Sequence, residues 1–394
     1  MRFRVSTRRN ARASWREELR VYAFVSHESA CEALRALSSG AESLDTVSRW
    51  PPRARGLPGS EHCVSGQRDF KDARLGERLR AIGCGSRPVD LTVPTQSSRS
   101  NGASARFHVW GGVLPVRSLI RPHADLLVFG PELVVIQLCA SQGKLDALLD
   151  AHAEAVHAEA EVVAELGLDD KPVIDHPLHW ERIRRLVAAT LVASEFAGTY
   201  RLGGEKGVSY NVKPLMSSES LERVSVEVGD SQGTRRARRV SRLMLEGSAS
   251  PMETVLALML SLPLDFGGFG LEKPQLNHPI DVSAHNGGIS DRDVVTPDFL
   301  WARQMIVLEY DSEEFHAALG DGRSRRDATR TNILAALGYR TLRATPQMIR
   351  SLPGLELLAR QIAAALGETL PKATPLQALR RRKLFLQLMP LVRE

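Results

Sequence analysis

TPDFLWARQMIVLEYDSEEFH, Thr296 to His316, decides the fold of the C-terminal part of this 394-residue chain. It belongs to two runs rich in β-branched and aromatic residues, VVTPDFLWA and MIVLEYDS, separated by Arg303-Gln304. So short a break predicts a β-hairpin with a two-residue connection. Strand side chains alternate between the faces of a sheet, so Glu309 and Asp311 share one face, and the hairpin returns their strand beside Asp298. Three carboxylates would then converge in a segment that otherwise reads as buried. Unpaired burial of a carboxylate is costly, and a hard divalent cation with oxygen ligands is the usual answer to such a cluster.

The flanks extend the pattern. In SASPMETVLALMLSLPLDFGGFG, Ser250 fits a helix N-cap, Pro251 the first helical position and Glu253 the third, from which its carboxylate can reach back to the cap's own N–H. That capping box accounts for Glu253 without any chemistry. After the acids, SRRDATRTNILAALGYRTLRAT predicts a helix with Ile333, Leu334 and Leu337 on one side, ended at Gly338, and then a strand. The order is helix, strands with acids, helix, strand.

Composition bounds the rest. A hydrophobic content of 43% with interspersed charges suits a soluble globular protein of more than one domain, and the net charge of +6 makes nucleic acid a candidate partner. No apolar run is long enough to span a membrane, and the basic start MRFRVSTRRNARASWREELR lacks the apolar core of a secretory signal. Cys31, Cys63, Cys84 and Cys139 form no CxxC pair, which indicates neither a zinc knuckle nor a disulfide framework and fits reduced thiols in a cytoplasmic protein.

Four regions follow from these shifts in composition. Residues 1–85 are partly helical: FVSHESACEALRAL predicts a short strand and a helix, capped by Ser26 or Ser29, with Ala30, Leu34 and Leu37 on one face. Residues 86–245 are mixed α/β and then helical. VDLTVP, RFHVWGGVLP and ADLLVFGPELVVIQLCAS read as strands or buried runs, while KLDALLDAHAEAVHAEAEVVAELG and HWERIRRLVAATLVASEF read as helices. His152 and His157 have no metal-ligand spacing. The arginine cluster in GDSQGTRRARRVSRLMLEG is either a solvated helix face or a contact for a nucleic-acid backbone. Residues 246–370 hold the acids, and 371–394 read as a basic helix or tail.

With Glu253 on a leading helix, Pro297-Asp298, EYDS and a histidine from Glu309 to His316, and RDATR followed by LGYRTLRAT, the region over 250–350 resembles the PD-(D/E)XK nuclease superfamily. Within it the likeness is to very-short-patch-repair-like endonuclease domains. The resemblance implies an α/β fold with a restriction-endonuclease-like core and a DNA endonuclease activity. It implies that Asp298 and Glu309 bind Mg2+ or Mn2+, that Asp311 holds the third motif position, and that Glu253 and His316 lie at the active site. Asp327 and Arg330 match the helix motif, with Arg326 and Arg330 placed to meet a phosphate. Three departures stand out. Ser312 replaces a common glycine, His316 lies one residue further from the acids than usual, and Asp311 stands where a lysine would steady the attacking water.

Upstream, FVSHESACEALRAL followed by VDLTVP, RFHVW and LLVFGPELVVIQLC resembles abortive-infection antitoxin-like proteins, in which a reduced helix-turn-helix region precedes such a domain. That resemblance implies a protein partner for the N-terminal region. It also implies a rival function, a non-catalytic DNA-binding regulator that keeps a nuclease fold as its scaffold.

Overall fold

The computed structural model describes residues 23–39, 49–50, 54–55, 57, 73–96, 99, 101–123, 125–140, 175, 177–203, 207–231, 233–283, 293–311 and 330–392. The chain is a mixed α/β protein of two compact units, and both are discontinuous in sequence. One comprises residues 1–143 and 201–242, the other 144–200 and 243–394.

The first unit is built on a six-stranded mixed sheet. Its strands are β1 (Ala23–Val25), β2 (Arg49–Trp50), β4 (Val89–Val93), β5 (Ala105–Val109), β7 (Leu119–His123) and β8 (Leu126–Phe129), in the order β2-β7-β8-β1-β4-β5; β3 (Ala54–Arg55) and β6 (Val113–Leu114) pair separately. β1 lies parallel to β8 and antiparallel to β4. Every residue of β1 is buried, as a strand flanked on both sides requires. Helix α1 (His27–Ser39) follows directly and buries Ala30 and Leu34 as expected, with Leu37 half-buried. After α2 (Ala73–Ala81), the run ADLLVFGPELVVIQLCAS divides into strand β8 and helix α3 (Pro131–Ala140). Residues 131–139 are all buried, and a helix apolar on every side leaves no periodicity to distinguish it from a strand. Gly130 joins the two where an added Cβ would stand 3.0 Å from the Ser118 carbonyl oxygen.

The chain then leaves this unit to form α4 (Pro177–Ala197), the helix expected from HWERIRRLVAATLVASEF. It returns through the ribbon of β9 (Tyr200–Leu202) and β10 (Val208–Tyr210) to α5 (Ser218–Val228) and α6 (Thr234–Leu243). α6 carries the arginine cluster. It buries Thr234, Ala237, Val240 and Ser241, while Arg235 pairs with Asp230 at 2.9 Å and Arg236 donates to the Cys139 carbonyl at 2.9 Å.

In the second unit, α7 (Pro251–Ser261) is buried along residues 251–260. It leads through β11 (Gln275–Leu276), β12 (Ile280–Asp281) and β13 (Val294–Val295) to β14 (Phe299–Trp301) and β15 (Ile306–Tyr310). The connection between β14 and β15 is longer than the Arg303-Gln304 break predicts. Ala302–Gln304 form a 3-10 turn, and Met305 takes a left-handed conformation (φ 56°) that closes it. The longer loop is centred on the same point, so pairing keeps the register Phe299↔Leu308 and Trp301↔Ile306.

α8, described over residues 330–336, follows. It sets Ile333 and Leu334 against Leu300 and Val307 of the hairpin and against Val282 and Val295. Gly338 ends it at φ 85°, where glycine carries no Cβ penalty. β16 (Arg340–Ala344) then pairs parallel to β15, completing the sheet β11-β14-β15-β16.

α9 (Pro346–Ile349), α10 (Leu352–Leu366) and α11 (Pro375–Leu388) close the unit. α11 is the basic helix expected near the C-terminus, but three of its cations are buried. Arg380 donates twice to buried Asp175 at 2.8 and 3.2 Å, Lys383 lies 3.6 Å from the same carboxylate, and Arg381 pairs with Glu356 at 3.3 Å. Among the described residues, no helix is long and apolar enough to cross a membrane.

Candidate active site

The β14–β15 register, carried one step beyond Phe299↔Leu308, sets Asp298 opposite Glu309. The Asp298 Oδ2 oxygen accepts the Tyr310 N–H at 2.7 Å, and the Asp298 carbonyl accepts the Asn277 N–H at 3.0 Å, so both neighbouring strands fix this residue. Alternation places Asp298 with Leu300 and Glu309 with Val307, on the sheet face that α8 covers.

That geometry brings an arginine among the acids. Arg330, on the first described turn of α8, sits with Nη2 2.8 Å from Glu309 Oε2 and 4.0 Å from Asp298 Oδ1, and it also donates to the Thr296 carbonyl. Asp311 faces a second arginine, with Arg343 Nη1 3.5 Å from its Oδ2. Arg343 belongs to β16, in register with Glu309, and its other nitrogen lies 3.5 Å from Thr331 Oγ1 on α8. Positive charge among the three acids therefore comes from two arginines that interleave with them.

Glu253 begins α7 as its sequence predicts, with one difference. Ser250 Oγ accepts the Glu253 N–H at 3.2 Å and donates to Glu253 Oε1 at 2.8 Å, but Oε2 accepts the N–H of Ala249, at 2.9 Å, rather than that of Ser250. Oε2 also accepts from Asn277 Nδ2 at 2.6 Å, which ties the helix cap to the strand that holds Asp298. Burial pushes the Glu253 carboxyl up to about 7. The Asp298 charge adds to the rise, and the hydrogen bonds from Ala249, Ser250 and Asn277 oppose it.

Asp298, Glu309 and Arg330 thus meet in one cluster, Asp311 adjoins it through Arg343, and Glu253 reaches it through Asn277. His316, Arg326 and Asp327 lie outside the described residues, as do His152, His157, Cys63 and the helix expected over 144–167. The helix-turn-helix reading of residues 1–85 also falls largely outside them. Arg343 and Asn277 were missed in the sequence. Arg343 was legible, since alternation along YRTLRAT places it on one face of a strand; Asn277 sits in a turn whose partners no periodicity announces.

Carboxylate oxygens are the donors that Mg2+ or Mn2+ takes, and the hairpin register sets Asp298 opposite Glu309. The Arg330 guanidinium lies beside both carboxylates and occupies the space next to them. Among the described residues no three His, Cys, Asp or Glu side chains group as a metal cage.

A second polar cluster lies in the first unit. Buried Asp90 meets His108 Nε2 at 2.8 Å and Arg106 Nη1 at 3.3 Å, and the His27 ring stacks on His108 with centroids 3.6 Å apart. His27 Nδ1 meets Ser26 Oγ at 3.0 Å, and the His27 backbone N–H donates to Gln137 Oε1 at 3.0 Å. Burial, then the charges of His108 and Arg106, hold His27 well below the ordinary imidazole range.

Comparison of the chain with family models, curated proteins and solved structures gives no match.

Proposed function

We propose that the chain is a metal-dependent endonuclease that hydrolyses phosphodiester bonds of DNA in repair or in defence against foreign DNA, and that its second unit is a restriction-endonuclease-like core. The observation that carries this reading is the pairing of Asp298 and Glu309 across a buried hairpin, with a helix-borne arginine beside them. In it Asp298 and Glu309 hold Mg2+ or Mn2+. The bound ion would supply Lewis-acid stabilisation of a phosphoryl oxygen and lower the pKa of a water. Arg330 and Arg326 take phosphate oxygens, Asp311 and His316 flank the site, and Glu253 positions the strand of Asp298 through Asn277. The arginines of the chain add sequence-independent affinity, which weakens steeply with salt. Buried thiols at Cys31, Cys84 and Cys139 suit a reducing cytoplasm.

One observation favours a second reading, a non-catalytic DNA-binding regulator, with a protein partner on the N-terminal region. Arg330 already pairs with Glu309 and lies 4.0 Å from Asp298, so part of the charge of the acid pair is compensated without a metal. Incubation with single-stranded, double-stranded and branched DNA, with Mg2+ or Mn2+, separates the two. The endonuclease reading expects metal-dependent cleavage that Asp298→Ala and Glu309→Ala abolish; binding without cleavage under either metal would leave only the regulator.

A further inference from the structure

We propose that Arg330 is a displaceable internal cation. It holds the place of a divalent ion in the free protein, and a DNA phosphate draws it away, so that metal binding and DNA binding are coupled. This rests on the metal-dependent reading above.

Arg330 Nη2 lies 2.8 Å from Glu309 Oε2 and 4.0 Å from Asp298 Oδ1. A divalent ion needs the same oxygens at about 2.0–2.6 Å, and a guanidinium of like sign cannot share that space. The arginine is partly open to solvent. Ile333 and Leu334 anchor its helix in the core, while its own side chain is 28% exposed and is held, beyond the carboxylates, by a hydrogen bond to the Thr296 carbonyl that its departure would also break. A diester phosphate offers what Glu309 offers, an anion with two oxygens that suits the planar fork of arginine. The exchange therefore keeps the guanidinium paired and frees the carboxylates. Arg343 takes no part, being held with Asp311 and Thr331. Two consequences follow. The free protein binds a divalent ion weakly, and DNA and the ion each strengthen the binding of the other by the same factor.

The test is a Mn2+ titration of the full chain, with free Mn2+ read by electron paramagnetic resonance. Arg330→Gln is expected to bind Mn2+ roughly tenfold or more tightly than the wild type, the size of effect that removal of one adjacent charge produces. Asp298→Asn in the same background should return it to weak binding. Equal, tight binding by wild type and Arg330→Gln overturns the displacement and leaves the metal reading standing; no Mn2+ uptake by either overturns both. The wild type tests the proposal without any risk of misfolding. A short DNA duplex should raise its Mn2+ affinity by a similar factor, after subtraction of the uptake seen with Glu309→Gln, and no rise overturns the coupling.

Discussion

Substitution at Asp298 separates the structural role of this carboxylate from the chemical one proposed for it. Its Oδ2 accepts the Tyr310 N–H at 2.7 Å, and its Oδ1 lies 4.0 Å from Arg330. A hydrogen bond to a charged acceptor contributes about 1.5–3 kcal/mol, and the low end applies because the side chain is 23% exposed. The longer contact with Arg330 adds about 0–1 kcal/mol on the same reasoning. Asp298→Ala loses both and should cost about 2 kcal/mol of stability. Asp298→Asn keeps an amide oxygen for the Tyr310 N–H and should cost less than about 1 kcal/mol. Under the proposed endonuclease function, cleavage should be lost in both variants, because neither retains an anionic oxygen at this position. Urea unfolding followed by tryptophan fluorescence measures the first quantity, and metal-dependent cleavage of duplex DNA the second. Equal stability of the two variants would refute the assignment of the Tyr310 hydrogen bond; wild-type cleavage by Asp298→Asn would remove Asp298 from the chemistry.

Asp175→Ala leaves Arg380 and Lys383 buried without their shared carboxylate and should cost about 3–5 kcal/mol in urea unfolding, so a loss below about 1 kcal/mol contradicts that role. His27 is held neutral when folded, and its folded pKa lies below its unfolded value of about 6.5. The unfolded chain therefore binds its proton first, and the contribution of His27 is fully present above about pH 6.5 and lost as pH falls, at up to about 1.4 kcal/mol per pH unit. Asn tolerates the left-handed φ of 50° at this position, so His27→Asn should flatten the slope of stability between about pH 6.5 and 5, and an unchanged slope rules His27 out as its source. Burial pushes the Cys84 and Cys139 thiols up to about 12, so both should resist a disulfide exchange reagent at pH 8 until denaturant is added; rapid native labelling of either, located by mass spectrometry, would contradict that burial.

Local chemistry was legible wherever period and punctuation agreed. The two-residue alternation of MIVLEYDS, the glycine at 338 and the Ser250-Pro251-Glu253 cap each correspond to an element in place. Even the misjudged turn left the register intact, because its extra residues are added symmetrically about the centre of the hairpin. The apolar run over 131–140 was not resolved in this way, since burial on all sides erases the periodicity that tells a helix from a strand.

The sequence by itself thus determined which residues carry charge, which strand face they share, and that Asp298 returns beside Glu309. Only the tertiary structure decided what neutralises them. Arg330 comes from beyond the hairpin and Arg343 from a parallel strand that pairs with β15 only after that crossover, so long-range packing of Ile333 and Leu334 sets their reach. Burial was likewise a tertiary outcome. The sequence marks the C-terminal segment as a basic helix or tail, yet Asp175 and Glu356 draw three of its cations inside, because a buried charge persists only where the fold supplies its partner.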